Sequence, residues 1–296
     1  MSRLVRGNSL QRKKIPPAGF FIYMQDIKVF LKKYGFQPNH LLGQNFLLNE
    51  LTLEKIAEAA ELKPTDQVME IGSGIGNLTK LLAEKSAMVL AVEKDERYLP
   101  ILKDELGDQL DSKVKLVFAD VMRYNFQEVL KPDYKVVANI PYYITGKIVE
   151  MLLAAKNKPT KIVLLMQKEV AQRIIAPVGE LSILAISVQL FANPKLIDIV
   201  PKEDFYPVPK VDSAILVLDI LEKPRHDVDQ KEFFRIIKAA FAGKRKQLHN
   251  TLKNNLHLSA EQVAELLKKG KIDPAARPQE LSLEQWHYLY QNIPKL

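Results

Sequence analysis

The chain contains no cysteine. Disulfides, thiolate zinc sites and cysteine nucleophiles are therefore excluded, and a reducing, cytoplasmic setting is expected. No apolar run reaches the roughly eighteen residues that a bilayer span needs, so no membrane partner is expected. The five histidines, His40, His226, His249, His257 and His287, show no ligand spacing, and no metal is expected. Acidic residues are missing from two stretches, 1–25 and the interval between Glu232 and Glu261. Glycine is scarce at twelve in 296 residues, yet three of the twelve fall together at Gly72, Gly74 and Gly76.

The net charge of +8 is concentrated at the two ends. Residues 1–25 hold five basic side chains, and residues 221–296 hold fourteen against nine acids, which leaves the centre slightly acidic. This pattern suggests a catalytic core with polyanion-binding attachments, although a solvated basic surface would look the same. Residues 1–23 are expected to be a disordered extension or an early start; their Arg, Lys and Ser content also fits a transit peptide.

From 49 to 220 the pattern alternates between helices and short apolar strands. Strands are expected at Gln67–Ile71, Met88–Val92, Val114–Phe118, Tyr134–Ala138 and Lys161–Met166, with helices between them. Such alternation implies a mostly parallel α/β sheet covered on both faces. Two later strands, near Leu196–Val200 and Ala214–Ile220, flank a Pro-rich loop and should pair antiparallel. After Glu222–Asp229 only helical stripes follow, such as Phe233, Ile236, Ile237, Ala240 and Phe241. The expected division is 1–23 as extension, 24–221 as an α/β domain and 222–296 as a small all-helical RNA-binding domain.

The first strand runs into GSGIG, where glycine lets the backbone turn tightly and approach a ligand. Glu93 ends the next strand, 21 residues after Gly72. An acid there can accept from ribose hydroxyls, so the ligand should be a nucleoside. Asp120 ends a third strand and can accept from an adenine amino group. Each feature alone also fits a structural turn, a helix cap or a surface acid. Together they describe an adenosine pocket at the carboxyl edge of a sheet.

Asn139, Ile140, Pro141 and Tyr142 follow the fourth strand. An exocyclic adenine amine is a weak nucleophile because its lone pair is delocalised into the ring. The Asn139 side-chain oxygen and the Ile140 carbonyl can accept its two hydrogens and favour pyramidalisation. Pro141 holds Ile140 extended, and Tyr142 offers a ring on which a base can stack. Catalysis would then rest on positioning and electrostatics. The lack of cysteine excludes methylation at carbon 5 of cytosine, which needs a thiolate.

LLGQNFL (41–47), EIGSGIGNLT, NIPYYIT and FYPVPKVDSAIL occur in order. Together they resemble the KsgA-type small-subunit rRNA adenine dimethyltransferases, from about Ile27 to Leu256. The resemblance implies a class I, Rossmann-like methyltransferase fold with a helical C-terminal domain and S-adenosylmethionine as cofactor. It also implies N6,N6-dimethylation of two adjacent adenosines near the 3′ end of small-subunit rRNA, in an assembling 30S-type particle; a monomer is expected. Asn45 and Leu47 should line the cofactor site with Gly72, Glu93, Asp120 and Asn139, and Tyr142 and Phe205 should sandwich the target base. Phe205, ahead of Pro207 and Pro209, is expected on a rigid exposed loop. FAGKRKQLHNTL resembles the second-domain signature, with Gly243 and His249 less usual.

Lys244, Arg245 and Lys246 lie at a helix start, where cations oppose the helix dipole unless an anion binds. They are the RNA-binding candidates. Three rivals remain open: an Erm-type large-subunit methyltransferase, a non-catalytic relative such as a mitochondrial transcription factor, and an oxidoreductase. The oxidoreductase leaves NIPY unexplained.

Overall fold

The computed structural model describes residues 26–39, 43–243 and 246–294. The expected extension 1–23, and the candidates Lys244 and Arg245, lie outside the described residues. In chain order the elements begin with α1 (Ile27–Lys33), β1 (Phe46–Leu47), α2 (Glu50–Ala59), β2 (Gln67–Ile71), α3 (Asn77–Lys85), β3 (Met88–Glu93) and α4 (Leu99–Leu106). They continue with β4 (Val114–Phe118), β5 (Lys135–Asn139), α5 (Thr145–Ala154), β6 (Lys161–Gln167), α6 (Lys168–Ile174), α7 (Ile183–Phe191), β7 (Ala192–Val200), β8 (Phe205–Tyr206) and β9 (Ser213–Ile220). Four helices follow: α8 (Gln230–Phe241), α9 (Leu248–Leu256), α10 (Ala260–Lys269) and α11 (Leu283–Asn292).

Seven strands form one sheet in the order β4-β3-β2-β5-β6-β9-β7. The first five run parallel, and β9 is antiparallel to both β6 and β7. Pro194 sits in β7, an edge strand, where a missing N–H costs least. A second sheet pairs β1 with β8, Leu47 opposite Phe205. The carboxyl ends of β2, β3, β4 and β5 lie together and carry the Gly-rich turn, Glu93, Asp120 and Asn139.

Successive strand residues serve opposite cores. Val68 and Val137 pack with α1–α4, whereas Met69 and Val136 pack with α5 and α7. Burying each such side chain stabilises by roughly 1.5–3 kcal/mol. The second core continues without a break into α8–α11, where Trp286 stacks on Phe241 at 6.0 Å. The helices start on sequence-encoded caps. Asn49 accepts from the Thr52 amide, Asp229 from the Glu232 amide, and Ser259 and Ser282 form capping boxes with Gln262 and Gln285.

Candidate active site

The strand-to-helix turn after β2 takes its shape from glycine. Gly76 has φ +89°, and a Cβ there would meet Leu102 Cδ2 at 3.2 Å. Gly74, at φ +51°, aims its amide at Glu93 Oε2, 3.0 Å away. The other Glu93 oxygen accepts from the amides of Lys94 (2.7 Å) and Asp95 (2.9 Å). Burial pushes the Glu93 pKa up, against the pull of these three amides. Glu93 therefore organises the loop as well as facing the cavity.

These strand ends border a cavity of about 670 Å³. Of the sequence candidates, Asn45, Leu47, Gly72, Gly74, Glu93, Asp120, Asn139 and Pro141 line it. Asp120 Oδ1 accepts from the Met122 amide and Oδ2 from Lys94 Nζ, both at 3.0 Å. Lys94 holds the Asp120 carboxyl below the ordinary carboxylate range. Asn139 Nδ2 donates to the Asn45 carbonyl at 3.3 Å, so its Oδ1 is the side-chain atom left to accept. The Ile140 amide donates to the Leu165 carbonyl, prolonging the β5–β6 pairing by one residue, while its side chain is buried. Pro141 adopts φ −55° and ψ 130°. Tyr142 is half-buried behind the rim, its hydroxyl 2.7 Å from Ser213 Oγ, and burial pushes its pKa up.

Phe205 does not sit on an exposed loop. It lies in β8, is only 1% exposed and belongs to the core that contains Phe46, Leu47 and Val200. Pairing of β8 with β1 buries its ring in that core, and Phe205 is not among the residues that line the cavity. Lys246 is exposed just before α9, a helix without a side-chain cap.

Sequence reasoning missed Glu70. It lines the cavity from within β2 and is 1% exposed. Neither carboxylate oxygen makes a hydrogen bond of normal geometry, although the Thr79 hydroxyl stands close enough to counter part of the burial. Burial, reinforced by the Glu93 charge and opposed by the Thr79 hydroxyl, pushes its pKa up to about 8. Such an orphaned acid is complementary to a cationic group of a bound ligand. Its signal was legible as an acid inside the apolar run QVMEI.

The ribosomal RNA adenine dimethylase model matches residues 35–295. The chain belongs to that family. This dimethylase is 38% identical to the Ribosomal RNA small subunit methyltransferase A of Dehalococcoides mccartyi strain CBDB1, over 90% of this chain and 92% of that protein. It is 40% identical to the protein of the same name from Clostridium botulinum strain Okra, over 88% and 95%. Among solved structures it resembles a dimethyladenosine transferase from Plasmodium falciparum, with TM-score 0.69 and 28% identity over 82% of this chain and 95% of that one. The 23S rRNA methyltransferase ErmE gives TM-score 0.68 and 27% identity, over 84% and 99%. The dimethylase is thus an S-adenosylmethionine-dependent enzyme with the expected Rossmann-like sheet. The cavity suits that cofactor: acids at successive strand ends suit its nucleoside, and the orphaned Glu70 carboxylate suits an ammonium group.

Proposed function

We propose that this enzyme dimethylates N6 of two adjacent adenosines near the 3′ end of small-subunit rRNA, acting as a cytoplasmic monomer on an assembling 30S-type particle. The observation that carries the choice of subunit is the pair of bacterial small-subunit relatives at 38% and 40% identity, against 27% for ErmE. The large-subunit reading rests on the ErmE fold match alone. A non-catalytic role leaves the anchored Asn139 amide without a purpose.

In this reading Glu93 accepts from the cofactor's ribose, Asp120 from its adenine amino group, and Glu70 holds its ammonium. The backbone at Gly72 and Gly74 admits the ligand closely, Gly76 shapes the turn against Leu102 rather than lining the cavity, and Asn45 and Leu47 form the wall beside the ligand. S-adenosylmethionine supplies the electrophilic methyl group when bound. Asn139 Oδ1 and the Ile140 carbonyl accept the N6 hydrogens and hold the amine's lone pair in line for attack. Pro141 keeps that carbonyl extended, and Tyr142 supports the extruded base. Phe205 serves from the core, holding β8 against β1. Lys246, with Lys244 and Arg245, supplies RNA phosphate contacts.

Purified 30S and 50S subunits lacking these modifications, incubated with enzyme and cofactor and read by primer extension, test the proposal. Adjacent stops near the 3′ end of the small-subunit RNA are expected. Stops confined to the large-subunit RNA would overturn it.

A further inference from the structure

A base leaving a stacked helix takes its neighbours' stacking with it. In the reading above Asn139, Ile140 and Tyr142 account for the target base, but an extruded nucleotide remains covalently joined to flanking ones. Among the described residues, two of the large apolar side chains left exposed also line the cavity, Met122 and Tyr143. Tyr143 is 61% exposed and directly follows Tyr142, whose hydroxyl is engaged by Ser213. The Tyr143 ring lies beside the segment leading into β1: a Cβ on Gly43 would approach its Cε1 at 3.7 Å. An aromatic ring that packs against a wall yet keeps most of its surface in water suits a stacking platform.

Lys147 stands one helical turn further on and also lines the cavity. It is exposed. It occupies the first turn of α5, a helix with no side-chain cap and no acid in that turn. A cation there opposes the helix dipole, so its placement is better explained by an anion nearby. The acids on the cavity lining, Glu70, Glu93, Asp95, Glu96 and Asp120, come from β2, β3 and the segments that follow β3 and β4, not from α5. The cavity lining therefore carries an exposed ring and a positive charge around the start of α5.

We propose that Tyr143 and Lys147 form a subsite for the nucleotide flanking the target adenosine, its base stacked on the Tyr143 ring and its phosphate contacted by Lys147. The inference rests on the RNA-methylating reading above and adds to it the grip on the RNA chain outside the reacting base. Because the proposed targets are adjacent and the strand enters with one polarity, one adenosine of the pair would occupy this subsite while the other reacts. The subsite then favours modification of the adenosine whose partner it holds.

The test compares wild type with Tyr143→Ala, Tyr143→Phe and Lys147→Gln on unmethylated 30S subunits. Tyr143→Ala should raise KM for the subunit about tenfold or more, in line with the loss of one base stack. Tyr143→Phe should restore it. Lys147→Gln should flatten the log–log salt dependence of subunit binding by about 0.7–0.9, one phosphate contact. Cofactor affinity by calorimetry should be unchanged in all three, which separates loss of the subsite from a disturbed cavity. Tyr143→Ala should also yield subunits carrying only one modified adenosine of the two. A normal KM and complete modification in Tyr143→Ala would overturn the subsite, as would an equal loss of cofactor binding. If wild type itself left the 30S RNA unmodified, the underlying reading would fall instead.

Discussion

The Asn139 side-chain amide donates to the backbone carbonyl of Asn45 across 3.3 Å. That bond ties the end of β5 to the segment leading into β1. The bond uses one hydrogen of the NH2 group and leaves Oδ1 as the side-chain acceptor. In the proposed mechanism the same bond makes the segment leading into β1 part of the catalytic geometry.

Glu70 should make both stability and cofactor affinity depend on pH. Its folded pKa of about 8 exceeds the ordinary value of 4.5. Between those values the folded state holds more protons than the unfolded state, so stability falls as pH rises through the window. Glu70→Gln removes that ionisation. The variant should gain melting temperature relative to wild type as pH is raised from 5 to 8. Its cofactor affinity should lose the rise with pH that wild type shows as Glu70 ionises. Parallel melting curves across this range would exclude an ionising, ligand-facing Glu70.

Glu93→Ala should weaken cofactor binding by more than one hydrogen bond. A charged acceptor contributes roughly 1.5–3 kcal/mol. The three amides of Gly74, Lys94 and Asp95 would also lose their shared acceptor. Calorimetry with S-adenosylmethionine and urea denaturation should show affinity and stability falling together. Loss of affinity with unchanged stability would mean that Glu93 does not organise the loop.

Phe205→Ala should act first on the fold. Removing a ring that is 1% exposed costs about 3–5 kcal/mol. The urea midpoint should fall accordingly, and Phe205→Leu should recover most of it. A midpoint near wild type for Phe205→Ala would return the ring to the cavity rim.

The sites at strand ends were legible because the chemistry-bearing residues interrupt an apolar pattern where it changes period. Glu93 and Asn139 close β3 and β5, and Gly72–Gly76 and Asp120 come just after β2 and β4, so the sequence pattern placed each of them at a strand end. The burial of Phe205 was not, because it depends on pairing with Leu47, a contact remote in sequence and only two residues long. The α7 segment ILAISVQLF is apolar on nearly every side, so it shows no helical stripe. Glu70 was passed over because a lone acid in a strand acquires meaning only once its burial and missing partner are seen.

The claim that adenine N6 is activated by position alone is tested most directly at Asn139. Single-turnover methylation of 30S subunits should be compared for wild type and Asn139→Ala at saturating S-adenosylmethionine, with RNA affinity measured in parallel. Loss of one acceptor used in the transition state should slow transfer on the order of a hundredfold while subunit affinity stays close to wild type. A near-normal single-turnover rate in the folded variant would contradict the mechanism.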